Sequence, residues 1–466
     1  MCPEAYALNA LNRFEFTERS FDPDSGLVSL VWHWRGEDAT ADEPVSIRFE
    51  ERFQIPGPIE LPAQRNDELN AALDLLHWVA GVSYWKARCS GEIEFAGTSP
   101  DHWQAEQLSQ MYQQGLAELA WRNHLDHPYW PTFPSSKAPT PVDHSKPSST
   151  RPVPWPSNEP SDARALVALG GGKDSLVALE RVRARGFEPM TVQVGRSERI
   201  RETATAAGTQ HRVIRRTIAP TLIALNQTGA INGHIPITAI NSAVLVVAAI
   251  VWGLNRVVFA NERSANTPTL IVEGHEINHQ YAKSYAFETM LNQWLEQYIS
   301  TDLKVFSILR RDSELAVCRE FAGYRRYHAV FTSCNRNFHL DGPRTERWCG
   351  ACPKCLFVYL AMAPFMRPAA MRAIFGTDLL DDLTLLEGFD ELLELSGHRP
   401  FECVGEAEEA RAAVHLLNAS EDWQGHRVVR ALHQRLRDSN ALPDTHQIEQ
   451  LLTAEGPDQI PTRFIR

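Results

Sequence analysis

The chain has 466 residues, 43% of them hydrophobic and 22% charged, with a formal net charge of -12. That length suits two or three domains, each able to bury a core without disulfide staples. The acidic balance argues against a protein that coats nucleic acid or an anionic membrane, since either surface would repel it; a local basic pocket stays possible.

Residues 1–130 are expected to form an N-terminal α+β domain. Gly26–Trp34 and Pro44–Phe53 show partial apolar alternation on either side of a polar stretch, which predicts strands. The spacing of Leu69, Ala72, Leu73 and Leu76, then of Leu116, Leu119 and Ala120, predicts helix between Asn66 and His124. No basic stretch followed by an apolar one opens the chain between Met1 and Phe14, so a cytoplasmic protein is expected. Residues 131–162 are rich in Pro, Ser and Thr, the composition of an extended linker.

The pattern changes over 163–368. Short apolar runs at Arg164–Leu169, Met190–Val194, His211–Ile218 and Arg256–Ala260 alternate with helical ones at Ser175–Arg185, Ile200–Ala207 and Ala286–Gln297. Such alternation predicts an α/β fold with a doubly wound parallel sheet. Ile235–Leu254 is nearly uncharged and long enough to cross a bilayer. It contains Thr238, Asn241 and Ser242, however, and runs directly into the apolar Val257-Val258-Phe259, so a buried central helix is expected and no membrane partner. Residues 369–466 are mostly amphipathic helix, with Leu379, Leu380, Leu383, Leu385 and Leu386 and then Leu392, Leu393 and Leu395. No motif there points to chemistry.

The most informative stretch is Gly170-Gly171-Gly172-Lys173-Asp174-Ser175, between a buried strand and a helix. Glycines let successive N–H groups converge, and the helix start adds unpaired N–H groups and a positive dipole end, so the turn can cradle phosphate. Ser175 can bond a phosphate oxygen, and Asp174 beside a phosphate calls for Mg²⁺ between them. A Walker A loop would place Ser or Thr directly after Gly-Lys, where Asp174 stands. A dinucleotide fingerprint would end the second strand on an acidic residue, where Gln193-Val194-Gly195 stands. A plain strand-to-helix turn is the alternative.

Cys334, Cys349, Cys352 and Cys355 have the spacing of two knuckles able to close a tetrahedral zinc site; unmetallated cysteines and thiol chemistry are the alternatives. Lys354, within the cluster, is expected to be solvated, with phosphate pairing as the second option. Just past the fourth strand, Phe259–Asn266 brings Glu262 and Arg263 to the end of the sheet where open α/β folds bind ligands. His275, His279 and Lys283 follow in a run dense in acid, base and anion-binding groups. His275-Glu276-Ile277-Asn278-His279 formally spells a zinc-protease motif, but Glu273-Gly274 breaks the helix it needs and no third ligand is assignable. A polar substrate face and an ordinary capped segment are the other readings.

The glycine turn resembles the Ser-Gly-Gly-X-Asp-Ser loop of the PP-loop ATP pyrophosphatases, departing at Gly170, where serine is usual. The resemblance implies cleavage of ATP between the α and β phosphates, transfer of AMP to a substrate oxygen, and adenine lying along the second strand near Val194 and Gly195. The cysteine cluster is similar to the zinc site of the deazaguanine synthases of that class. Phe14–Leu30, Phe49–Pro56, the glycine turn, Phe259–Asn266 and Trp348–Cys355, in that order, resemble the UDP-N-acetyl-α-D-muramoyl-L-alanyl-L-glutamate epimerases. This implies an ATP- and Mg²⁺-dependent enzyme with structural zinc that inverts the glutamate of a UDP-MurNAc-dipeptide, with no nucleic acid partner. Gly170, Gly171, Gly172 and Ser175 would hold pyrophosphate, Lys173 would assist and Asp174 would place Mg²⁺. Glu262, Arg263, His275 and Lys283 are candidates for substrate binding or proton transfer. The N-terminal region is expected to recognise the UDP-sugar. Another PP-loop enzyme (a nitrile synthase, an amide ligase or a tRNA-modifying enzyme) and a zinc-stabilised binding module are the rival readings. The oligomeric state is left open.

Overall fold

The computed structural model describes residues 10–36, 45–59, 61, 65–125, 130–135, 163–337 and 345–465. Most of the expected linker, residues 136–162, lies outside them.

Strands β1 (Leu11–Asp22), β2 (Leu27–Gly36) and β3 (Val45–Gln54) form an antiparallel meander. Their alternation puts Phe14, Phe16, Trp32, Trp34 and Phe49 on one buried face. Helices α1 (Asn66–Ala80), α2 (His102–Gly115) and α3 (Ala117–Arg122) follow, with Phe16 and Trp32 packing edge-on or tilted against the α1 residue His77. Between α1 and α2 a short strand, β4 (Glu92–Phe95), pairs in parallel with β1. The helical pattern around it had hidden this strand.

The second half begins with β5 (Arg164–Ala168), α4 (Lys173–Ala184), β6 (Glu188–Val194), α5 (Glu198–Ala207) and β7 (Gln210–Thr217). It continues through α6 (Ile237–Val251), β8 (Arg256–Phe259), the hairpin β9 (Leu270–Val272) and β10 (His275–Ile277), α7 (Tyr285–Trp294) and β11 (Lys304–Ser307). The parallel strands run β11-β8-β5-β6-β7, so the first in sequence is central and the chain changes sides between β7 and β8. That change creates a switch point at the carboxyl ends of β5 and β8. Alternate residues of β5 face two separate cores, with Leu166 on the α6 side and Ala165 and Val167 on the α4 side. Helices therefore cover both faces of this half.

The two halves are one sheet. Strand β3 pairs antiparallel with β7, through Arg52 opposite Thr217 and Gln54 opposite Arg215, giving the order β11-β8-β5-β6-β7-β3-β2-β1-β4. Glu51, fully buried at this seam, accepts hydrogen bonds from the Tyr84 hydroxyl at 2.8 Å and from Arg216. A buried carboxylate needs such partners, so the seam is fixed by polar pairing as well as by the ladder.

Helix α6 is the long apolar segment. Twelve of its fifteen residues are buried against the sheet, and no helix among the described residues is long and apolar enough to cross a membrane. The C-terminal helices α8 (Glu314–Phe321), α9 (Pro353–Met362) and α10 (Ala407–Ala419) pack on the α4 face.

Candidate active site at the sheet switch point

The glycine turn sits at the carboxyl end of β5, and its shape is specific. Gly171 has φ +80°, in the region that favours glycine. A Cβ on Gly172 would stand 2.6 Å from the Ser333 Oγ. Gly170 faces open space, and its N–H donates to the Ser175 Oγ at 3.2 Å. Helix α4 starts at once with no side-chain cap, leaving the N–H groups of its first turn without intrahelical partners.

That cavity, of about 330 Å³, lies between the turn and the ends of β5, β6 and β8. Gly170, Gly172, Asp174 and Ser175 form one wall, and Val192, Gln193 and Val194 another. Thr238 and Asn241 of α6 also line it, so two of the three polar residues that distinguish this helix from a membrane span face the cavity. Gly195 lies just beyond the lining, with φ +93° and its N–H donating to Ile214.

Asp174 shares a carboxylate cluster with Glu262 and Glu314, whose oxygens lie within 4.8 Å of one another. Burial would raise the Asp174 carboxyl, but the adjoining Lys173 ammonium outweighs it and holds the group below the usual range. Burial, with Asp174 nearby, raises Glu262 and pushes Glu314 up to about 7. Three such oxygen donors suit a hard divalent cation. Glu314 gave no signal in the sequence, since it opens an unremarkable helix 140 residues after the glycine turn.

Lys173 and Arg263 depart from their expected roles. Lys173 is almost fully buried and bonded to Asp174 and Glu314, so its ammonium points at carboxylates instead of into the cavity. Arg263 turns outward to the carbonyls of Thr453 (3.0 Å) and Gln450 (3.2 Å) and to Glu455 (3.1 Å), which tethers the C-terminal segment. His275 lies exposed on strand β10 and does not line the cavity. The apparent zinc-protease spelling therefore sits on a strand and a turn, and it cannot present two histidines one helical turn apart.

Lys283, Lys354 and Cys403 also line the cavity. Lys354, expected to be solvated, is buried because helix α9 carries it inward from the cysteine cluster. Lys283 is held above the ordinary lysine range, because Cys403 and Glu262 outweigh the effect of its burial. Cys403 comes from the C-terminal region that had offered no motif.

The four cysteines converge. Sulfur separations are 4.0 Å for Cys334–Cys352, 3.7 Å for Cys349–Cys355 and 3.4 Å for Cys352–Cys355. A tetrahedron with Zn–S of about 2.3 Å has edges of about 3.8 Å, so the set fits zinc closely. The cluster also touches the glycine turn: Thr332, two residues before Cys334, donates its N–H to the Gly171 carbonyl at 3.0 Å. Its hydroxyl accepts from the Cys334 N–H at 3.2 Å.

Comparison with known proteins bears on what this site serves. Residues 6–308 match the family model described as the MurL N-terminal domain, and residues 330–447 match the MurL C-terminal domain. A UDP-N-acetyl-α-D-muramoyl-L-alanyl-L-glutamate epimerase of Xanthomonas oryzae pv. oryzae is 40% identical, over 98% of this chain and 97% of its own. Proteins of the same name from Salinispora tropica and a Micromonospora species are 38% and 39% identical, each over 98% of this chain. By full-length kinship, the chain belongs to the UDP-N-acetyl-α-D-muramoyl-L-alanyl-L-glutamate epimerase family.

Proposed function

We propose that the chain is an ATP-dependent epimerase that converts UDP-MurNAc-L-Ala-L-Glu to UDP-MurNAc-L-Ala-D-Glu for peptidoglycan precursor synthesis. The observation that carries the reading is the shared cavity: a phosphate-cradling turn, Asp174 of the carboxylate cluster and the ammonium groups of Lys283 and Lys354 all line it. A free α-carboxylate resists loss of the neighbouring proton, because the carbanion would adjoin a negative charge. Transfer of AMP to that carboxylate removes the charge and releases pyrophosphate. The α-proton then becomes removable, its return to the other face inverts the centre, and water releases AMP.

Gly170, Gly172, Ser175 and the first turn of α4 would bind phosphate, and adenine would lie along Val192–Val194. Asp174, backed by Glu262 and Glu314, would hold Mg²⁺, which when bound neutralises charge on the phosphates. Lys283 and Lys354 would attract the glutamate carboxylates. The cysteines Cys334, Cys349, Cys352 and Cys355 would hold structural zinc. The N-terminal region would take the UDP-sugar. We place the enzyme in the cytoplasm, where these precursors and ATP are found together.

The test is incubation with ATP, Mg²⁺ and UDP-MurNAc-L-Ala-L-Glu in D₂O. AMP, pyrophosphate and D-glutamate deuterated at the α-carbon are expected together. AMP without inversion would favour a different adenylating enzyme of the PP-loop class, and absence of AMP would reject the reading.

A further inference from the structure

Cys403 is half-buried and lines the cavity. Its sulfur stands close enough to the His279 ring for each group to shift the other's titration, and His279 Nδ1 is bonded to the buried Glu118 on helix α3. Glu118 is itself fixed by Arg122, whose Nε donates to it at 2.7 Å. A thiol, an imidazole and a carboxylate thus stand in series, the arrangement that holds a thiol as thiolate against an imidazolium. The His234 ring lies 4.1 Å from that of His279. Lys283 and Lys354 place positive charge beside the sulfur.

These groups act on one another in a consistent direction. Burial would raise the Cys403 thiol, but Lys283, His279 and Lys354 outweigh it and hold the thiol well below the usual range. Burial would lower His279, but Cys403 and Glu118 lift it to about 9. The other charged neighbour, Glu402, is itself raised by burial, which weakens its opposition to the thiolate. Nothing in the cysteine cluster accounts for this residue, because Cys403 lies outside that four-sulfur group.

We propose that the Cys403 thiolate, oriented by His279 and Glu118, is a catalytic base that serves one face of the glutamate α-carbon. The inference rests on the adenylation reading above and names a group for its proton step. The Cα–H bond breaks and its electron pair moves into the acyl carbonyl of the adenylate, giving an enolate. The proton passes to sulfur and makes a thiol. A second group returns a proton to the opposite face, and the thiol then loses its proton to water, restoring the thiolate. Lys283, beside both sulfur and substrate, stabilises the enolate oxygen. The imidazolium keeps the sulfur anionic between turnovers.

The test compares wild type with Cys403→Ala and Cys403→Ser in D₂O with ATP, Mg²⁺ and UDP-MurNAc-L-Ala-L-Glu. The quantity measured is α-deuterium incorporated per AMP released. Both variants are expected to keep AMP release within about tenfold, while the ratio falls by about 10²–10⁴, the usual contribution of a positioned base. An unchanged ratio in either variant overturns the proposal. A parallel loss of AMP release and deuterium also overturns it, because the residue would then serve binding or folding. Wild type that releases no AMP defeats the adenylation reading itself, so the two failures are distinct.

Discussion

The two walls of the cavity are built in opposite ways. The glycine-turn wall is contiguous: Gly170, Gly172, Asp174 and Ser175 lie within six residues at the end of one strand. The dispersed wall collects Lys283, Lys354 and Cys403, with Glu118 and His279 behind it, from segments spread over nearly 300 residues. Phosphate binding needs successive backbone N–H groups, and only neighbours in sequence supply them. Proton transfer needs a few side chains at fixed separations, and the fold can bring those from anywhere.

The largest expected effect lies on the contiguous wall. Asp174→Asn removes the only member of the carboxylate cluster that lines the cavity and leaves Lys173 facing a neutral amide. AMP release should fall by about 10²–10³ or more, the scale of losing one charged stabiliser of a transition state. Steady-state AMP assays against wild type measure it. Activity within about threefold of wild type would remove Asp174 from the mechanism.

A second perturbation asks whether the cysteine cluster supports that wall. Because Thr332 bonds both Gly171 and Cys334, losing the metal site should loosen the turn as well as the fold. Cys352→Ser, or extraction with a strong chelator, is expected to lower Tm by about 10 °C or more, from several kcal/mol at about 2–4 °C each. Bound zinc, measured by elemental analysis, should fall in step. An unchanged Tm with no zinc in the wild type would make the four sulfurs a plain thiol cluster.

A third, smaller effect probes the dispersed wall. Glu118→Gln takes away one of the two partners, Cys403 and Glu118, that lift His279 to about 9. A histidine raised in the folded state contributes stability that is fully present below its unfolded value near 6.5 and lost as pH rises through about 9. The variant should therefore lose more stability at pH 6 than at pH 9.5, as read by thermal melts. The alkaline limb of epimerisation should move to lower pH, with AMP release little changed at neutral pH. Equal destabilisation at both pH values would mean that His279 is not held charged by Glu118.

The same contrast explains what the sequence revealed. The order of strands and longer helices from Arg164 to Phe259 followed from apolar runs and glycine punctuation, although the short helix Pro220–Gln227 was not foreseen, and the cysteine spacing announced convergent sulfurs that the fold brings together. The joining of the N-terminal meander to the parallel sheet through β3 and β7 left no local trace, since a strand edge does not encode its partner. Strand β4 was too short to interrupt the surrounding helical periodicity. Cys403 and Glu314 sit in segments whose pattern is ordinary helix packing or loop, so only contacts across the fold reveal them. Lys354 was misread because its neighbours looked like a surface knuckle, whereas helix α9 turns it inward.

Arg263 gives the smallest predicted effect and the sharpest check on motif-based assignment. It stands in one of the runs that carry the family resemblance, directly after Glu262, yet its guanidinium spans carbonyls of the C-terminal segment and Glu455. Its own N–H donates to the Asp312 carbonyl at 2.9 Å, which fixes the backbone so that the side chain projects away from the cavity. Arg263→Ala should cost about 1–3 kcal/mol, the range for hydrogen bonds made by a charged group, and lower Tm by a few degrees. Deuterium incorporated per AMP should match wild type, because no atom of Arg263 reaches the cavity lining. Lys283→Met, on the wall itself, should lower that ratio with little change in Tm. If Arg263→Ala lowered the ratio and Lys283→Met did not, the run from Phe259 to Asn266 would be catalytic after all, and the dispersed wall would be scaffold.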